Sequence, residues 1–170
     1  MSTITDISIE KLWSLVSQVN DPEVPVLSVT DLGIVRDIKW NGDTVEVVIT
    51  PTYSGCPAMQ LIEWEIKASI VQETGLEKDK VKVTTVLSPA WTTDWMSEAG
   101  KQKLKAYGIA PPGPTASVCD ITLFAKEEAV QCPRCQSYNT TLVSQFGSTA
   151  CKAHYRCNDC LEPFDHFKCH

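Results

Sequence analysis

Cationic side chains are in short supply in this chain. Fifteen Lys and Arg stand against 21 Asp and Glu, a formal net charge of −6. Such a balance excludes the basic footprint that a nucleic-acid backbone requires. The last forty residues come closest to neutrality, with four cationic side chains (Arg134, Lys152, Arg156, Lys168) against three acidic ones. Four thiolates and one divalent cation would bring that tail to about −1. Long apolar runs are also missing. None approaches the ~18 to 20 residues that cross a bilayer, so neither a nucleic acid nor a membrane is expected as partner. The opening stretch, residues 1–10, has neither the basic nor the apolar segment of a secretory signal. Histidine is scarce, with His154, His166 and His170 all in the tail. No glycine-rich dinucleotide or phosphate loop, GxSxG elbow or HExxH is found. Nor is there an ExxH pair to build a di-iron carboxylate centre.

What the chain does have is cysteine, in a particular place. Six of its eight cysteines fall in residues 131–170. Cys132-Pro133-Arg134-Cys135 and Cys157-Asn158-Asp159-Cys160 are two CxxC pairs separated by 21 residues. Each pair can form a tight turn presenting two sulfurs, and four thiolates so placed close a tetrahedral shell around Zn²⁺. The alternative is four reduced, unliganded cysteines, around which so short and polar a tail has little core to fold. Metal spacing, with no secretory signal, points to a reducing cytoplasmic compartment and not to a disulfide framework. Cys151, Cys169, His154 and His166 are read as neighbours of the metal and not its ligands.

The remaining length, with 43% apolar residues overall, suffices for one ordinary domain. Ile9, Leu12, Trp13, Val16 and Val19 recur at helical spacing, with Asp6 or Ser8 as cap and Pro22 and Pro25 beyond the end. Two strands, 33–40 and 44–50, flank Asn41-Gly42-Asp43, a strong hairpin signal. Pro57 and Gly75 bracket a helix over about 58–74 whose apolar stripe is Met59, Ile62, Ile66 and Ile70. A strand follows at 81–87. Helix–strand–strand–helix–strand makes an α/β unit with a small mixed sheet. The sequence then predicts a helix from about Asp94 to Tyr107, a linker at Pro111-Pro112-Gly113-Pro114, and a strand over 119–124. Trp91 and Trp95 cover the core where that helix begins, or form a docking surface. The expected division is an α/β domain over 1–115, a connecting strand or linker over 116–129, and a zinc ribbon over 130–170.

Outside the ribbon, Cys56 carries the most chemical potential. It follows Gly55 at the start of a predicted helix, where free N–H groups and the helix dipole favour a thiolate. That position suits a reactive or metal-binding thiol; a small buried hydrophobe is the plainer reading. Asp21, Glu23 and Asp31 sit in turn-like segments. Either they bond their own backbone, as turn acids do, or they form a polar rim around Cys56.

Two segments together resemble a domain family linked to iron–sulfur cluster assembly, which includes the bacterial SufT-like proteins. They are Asp21-Pro-Glu-Val-Pro-Val-Leu-Ser-Val-Thr-Asp-Leu-Gly-Ile-Val35 and Thr50-Pro-Thr-Tyr-Ser-Gly-Cys-Pro57. With Trp91-Thr-Thr-Asp-Trp95 and the two CxxC pairs, nearly the whole chain resembles the PaaD-like family of the phenylacetyl-CoA epoxidase system. The resemblance implies an accessory protein of aerobic phenylacetate degradation, not a catalyst. It would assist loading of an iron–sulfur or other metal centre in a reductase or oxygenase component. It also implies that Cys56 is the signature thiol, with Asp31 beside it and Asp21, Glu23 and Thr52 around it. Besides structural Zn²⁺, the implied cargo is a transient iron–sulfur cluster or iron, and the implied partners are the other epoxidase subunits; a homodimer is compatible with the sequence. Two rivals remain: a purely structural docking protein of the complex, and a Cys-dependent enzyme whose base would have to be a tail histidine.

Overall fold

A computed structural model describes residues 7–53, 55–113 and 130–168. The expected strand over 119–124, Asp6, Cys169 and His170 lie outside the described residues. Contacts divide the chain into two compact units, Met1–Trp91 and Thr92–His170.

In the first unit, helix α1 (Ile9–Val16) starts where Ser8 Oγ accepts a hydrogen bond from the Lys11 N–H at 3.2 Å. It buries Leu12, Leu15 and Val16. The helix stops well before the prolines, at the Ser17 cap. The chain then reverses over residues 20–28, where Asn20 pairs with Ser28 and the Asp21 N–H bonds Leu27 O at 2.8 Å. Strands β1 (Val35–Asn41) and β2 (Thr44–Ile49) pair antiparallel around Gly42, whose φ of 63° a hairpin turn needs and glycine adopts without strain. Helix α2 (Met59–Thr74) crosses to β3 (Val81–Thr85), which lies parallel to β2. The sheet order β1-β2-β3 is therefore mixed, as expected. Ile62, Ile66 and Ile70, at a spacing of four, put one face of α2 into the core with Val45, Val47 and Ile49 of β2. Trp91 closes this core at 3% exposure, its indole N–H donating to Leu32 O at 2.8 Å.

The second unit begins with a 3₁₀ turn, Thr93–Trp95. The following helix α3 spans Glu98–Tyr107, not 94–107, because Met96 is extended and Ser97 is the cap. Gly108, at φ 93°, ends it. Strand β4 (Ile109–Ala110) then runs parallel to β7 (Pro163–Phe167), and β6 (Lys152–Cys157) and β5 (Thr140–Ser144) complete the order β4-β7-β6-β5. Residues 98–110 thus pack with the cysteine-rich sheet, although composition alone draws the first domain to about residue 115. The reason is a strand pairing between residues more than fifty positions apart, which no local signal announces. Ala110, Cys132, Cys157 and Phe164 form one buried cluster, with Val130 and Tyr155 against it, and Leu104, Ile109 and Phe167 are buried as well. No described helix is long and apolar enough to cross a membrane.

Candidate metal centre and thiol site

The two CxxC turns are built alike. In the first, the Gln136 N–H bonds Cys132 O at 2.9 Å and the Cys132 N–H bonds Ser137 O at 2.9 Å. In the second, the Cys157 N–H bonds Glu162 O at 2.9 Å. The residue after each second cysteine is left-handed, Gln136 at φ 63° and Leu161 at φ 64°. Neither is Gly or Asn, so sequence carries no sign of this strain, which such residues tolerate only where the surroundings enforce it.

These turns bring Cys132, Cys135, Cys157 and Cys160 together, all four sulfurs within 4.8 Å of one another. Cys132 Sγ lies 3.8 Å from Cys160 Sγ, and Cys135 Sγ 3.5 Å from Cys157 Sγ. A sulfur tetrahedron at the ~2.3 Å Zn–S distance has edges of about 3.8 Å, close to both of these separations. The four thiols differ in how readily they ionise. Backbone N–H groups of Cys160 and Asp159 help pull the Cys157 thiol down to about 7. The Ser137 N–H pulls Cys135 down too, but burial and the three neighbouring thiols outweigh it and push Cys135 up to about 12. Four adjacent thiols cannot all ionise without a counter-charge.

A layer of side chains ties one turn to the other. Arg134 pairs with Glu162, and the Ser137 hydroxyl donates to Asp159. Asn139 Nδ2 donates to Asp159 Oδ1 at 2.7 Å, and Asn158 Nδ2 to Asn139 Oδ1 at 3.0 Å. The Ser137 and Asn139 bonds hold Asp159 below the usual carboxylate range. Sequence reasoning missed this layer, since its members are ordinary surface polar residues. The other tail candidates have different contacts. His154 Nδ1 lies 3.1 Å from Asp165 Oδ1, His166 Nδ1 lies 3.2 Å from Ala110 O, and Cys151 Sγ lies 2.9 Å from Thr149 Oγ1.

Cys56 belongs to the first unit. It stands two residues before Ala58, the cap of α2, and Pro57 likewise precedes the helix. The dipole effect fades within the first turn, so little of it reaches the thiol. Burial pushes the Cys56 thiol up; the Ala58 N–H opposes this, the carboxylates of Glu23 and Asp21 add to it, and Thr52 opposes it again. Burial thus works against the helix-stabilised thiolate that the position suggests. The fold does draw Cys56, Asp21, Glu23 and Thr52 into one neighbourhood. Asp21 Oδ1 also accepts the N–H groups of Glu23 at 2.6 Å and Val24 at 3.0 Å, the turn role of such an acid. Asp31 accepts the Ser28 N–H at 3.3 Å, and its own N–H donates to Ser28 Oγ. At the head of the Cys56 loop, Thr50 Oγ1 is buried without a hydrogen-bond partner among the described residues.

Comparison with known proteins matches both halves of this arrangement. Residues 9–83 match the family described as iron-sulfur cluster assembly protein, and residues 116–168 the PaaD zinc beta ribbon domain. A protein of Escherichia coli (strain K12), provisionally named as a subunit of 1,2-phenylacetyl-CoA epoxidase, is 46% identical over 99% of this chain and 98% of its own length. An Fe-S protein maturation auxiliary factor of Bacillus subtilis is 31% identical, covering 54% of this chain and 88% of its own. A solved structure from Bacillus anthracis, of a domain of unknown function, is 26% identical with a TM-score of 0.52 over 56% of this chain and 89% of that one.

Proposed function

Because this chain belongs to the PaaD-like family of the phenylacetyl-CoA epoxidase system, we propose that it is a cytoplasmic accessory protein that helps load a metal centre of an epoxidase subunit. The observation that carries this reading is the joining of an iron–sulfur assembly domain to a four-cysteine ribbon in one chain. Cys132, Cys135, Cys157 and Cys160 would hold Zn²⁺, which supplies a cross-link between the two turns and no reaction chemistry. The unit ending at Trp91 carries the assembly role, and the unit beginning at Thr92, which includes α3 and β4, carries the ribbon. Cys56 takes the iron or cluster cargo transiently, with Asp21, Glu23, Asp31 and Thr52 shaping its surroundings. A single thiol of raised pKa binds a soft metal only when the metal displaces its proton, which favours release as much as capture.

One observation favours a second reading, that of a docking protein without cargo. Cys56 is half-buried, and burial pushes its thiol up, as for a packing cysteine. Own catalysis has less support. A cysteine nucleophile needs a base, and His154 and His166 are engaged within the C-terminal unit. Cys56→Ala decides between cargo and docking. The variant is expected to fold and keep zinc, yet to fail to support growth on phenylacetate, with reduced cofactor content in one epoxidase subunit. Full growth with full cofactor loading would leave only the docking reading.

A further inference from the structure

Helix α2 is apolar on two sides. Ile62, Ile66 and Ile70 are buried, while Leu61 and Trp64 stand 43% and 64% exposed. Exposed indole rings are unfavourable to leave in water and are enriched where proteins meet. Trp64 borders an open groove of about 620 Å³ between α2 and residues 18–25. Every ionisable side chain lining that groove is acidic: Asp21, Glu65 and Glu73. Asp21 is occupied by its turn. Glu65 and Glu73 have no hydrogen bond or ion pair with any described residue, nor has the Trp64 indole N–H. On the same helix, by contrast, Glu63 pairs with Lys67 at 2.7 Å.

We propose that this groove docks a cationic segment of the client epoxidase subunit, with Lys or Arg side chains against Glu65 and Glu73 and one apolar or guanidinium face on Trp64. The proposal rests on the accessory role inferred above and names where the client sits. Charge decides the occupant. An acidic groove repels nucleic acid and anionic lipid surfaces. A second copy meeting this one groove to groove would set one acidic lining against another. A basic protein segment satisfies both carboxylates, and a guanidinium can also stack on the indole. Location supports the function as well. Asp21 lines the groove and also lies in the neighbourhood of Cys56, so a seated client would be beside the thiol.

The test uses the full-length chain and the separately purified epoxidase subunits. Trp64→p-benzoylphenylalanine is irradiated with each subunit and the cross-linked peptide is identified by mass spectrometry. In parallel, binding is measured for the unchanged chain and for the double variant Glu65→Lys, Glu73→Lys, whose helicity and zinc content are checked first. Expected are a cross-link to a Lys- or Arg-bearing segment of one subunit, and a Kd at least about tenfold weaker in the double variant, with the difference shrinking at high salt. A cross-link only to a second copy of this chain, or to an acidic segment, overturns the proposal. Binding that survives charge reversal overturns the groove while leaving the accessory reading intact, which Cys56→Ala tests separately. No complex with any of the subunits overturns both.

Discussion

At the scale of single residues, Cys56 is the position where sequence logic and structure part. A cysteine beside a helix start reads as an activated thiolate, but here burial comes first and two carboxylates add to it. The thiol is therefore expected to react slowly at neutral pH. In site-resolved alkylation with iodoacetamide, its rate should climb with pH to a midpoint above the ordinary value of 9.0. The sign follows from the charges: burial and neighbouring anions disfavour the thiolate, so more base is needed to form it. Glu23→Gln removes one anion and should lower that midpoint, though not to 9.0, since burial remains the larger cause. A midpoint below 9.0 in the unchanged protein would mean that the dipole wins after all. Thr50 is a second instance of local cost. Its buried hydroxyl, without a hydrogen-bond partner among the described residues, is unfavourable by about 1–3 kcal/mol.

At the scale of elements, each CxxC turn is a short loop closed by its own backbone, and the pair is joined by side chains. Asp159 is central, accepting from Ser137 and Asn139 of the opposite turn while its own turn carries Cys157 and Cys160. Polar partners of this kind orient metal ligands and commonly change metal affinity by about 10- to 100-fold. Asp159→Ala is accordingly expected to lose zinc to excess EDTA about tenfold faster or more, with the strand content of β5, β6 and β7 retained. Zinc release at the unchanged rate would reduce Asp159 to an ordinary surface acid. Helix α2 shows the opposite arrangement. Three isoleucines on one face suffice to seat it, which leaves Leu61 and Trp64 available for another molecule.

At the scale of the whole molecule, the two units differ in what holds them. The first has a continuous core from α1, α2 and the three-stranded sheet. The second buries Leu104, Ile109, Phe164 and Phe167, but its two CxxC turns meet through Cys132, Cys135, Cys157 and Cys160, where a metal cross-link would hold the sheet together. Structural zinc supplies on the order of 10 kcal/mol or more to small ribbons of this sort. Metal removal from the reduced full-length protein should thus abolish one thermal transition and spare the other. A fragment ending at residue 91 should melt cooperatively with no metal present. Simultaneous loss of both transitions on chelation would show that the units stabilise each other. The fragment must end there, and not near residue 115, because α3 and β4 have their partners in the C-terminal sheet.

The sequence by itself determined what is local or periodic. The hairpin at Asn41–Thr44 follows from β-branched runs around a glycine, and α2 from its isoleucine spacing and Gly75 stop. The four-cysteine cluster follows from CxxC turns, in which two residues between cysteines force both sulfurs to one side. Tertiary structure alone decided what depends on distant neighbours. It set the burial that pushes the Cys56 thiol up, and the allegiance of β4, through β7. It also put Gln136 and Leu161 into left-handed conformations no propensity would assign them, and placed Glu65 and Glu73, without an ion pair among the described residues, in a groove bordered by exposed Trp64. Local patterns are written in spacing; burial, charge environment and pairing across fifty residues arise only once the chain has closed on itself.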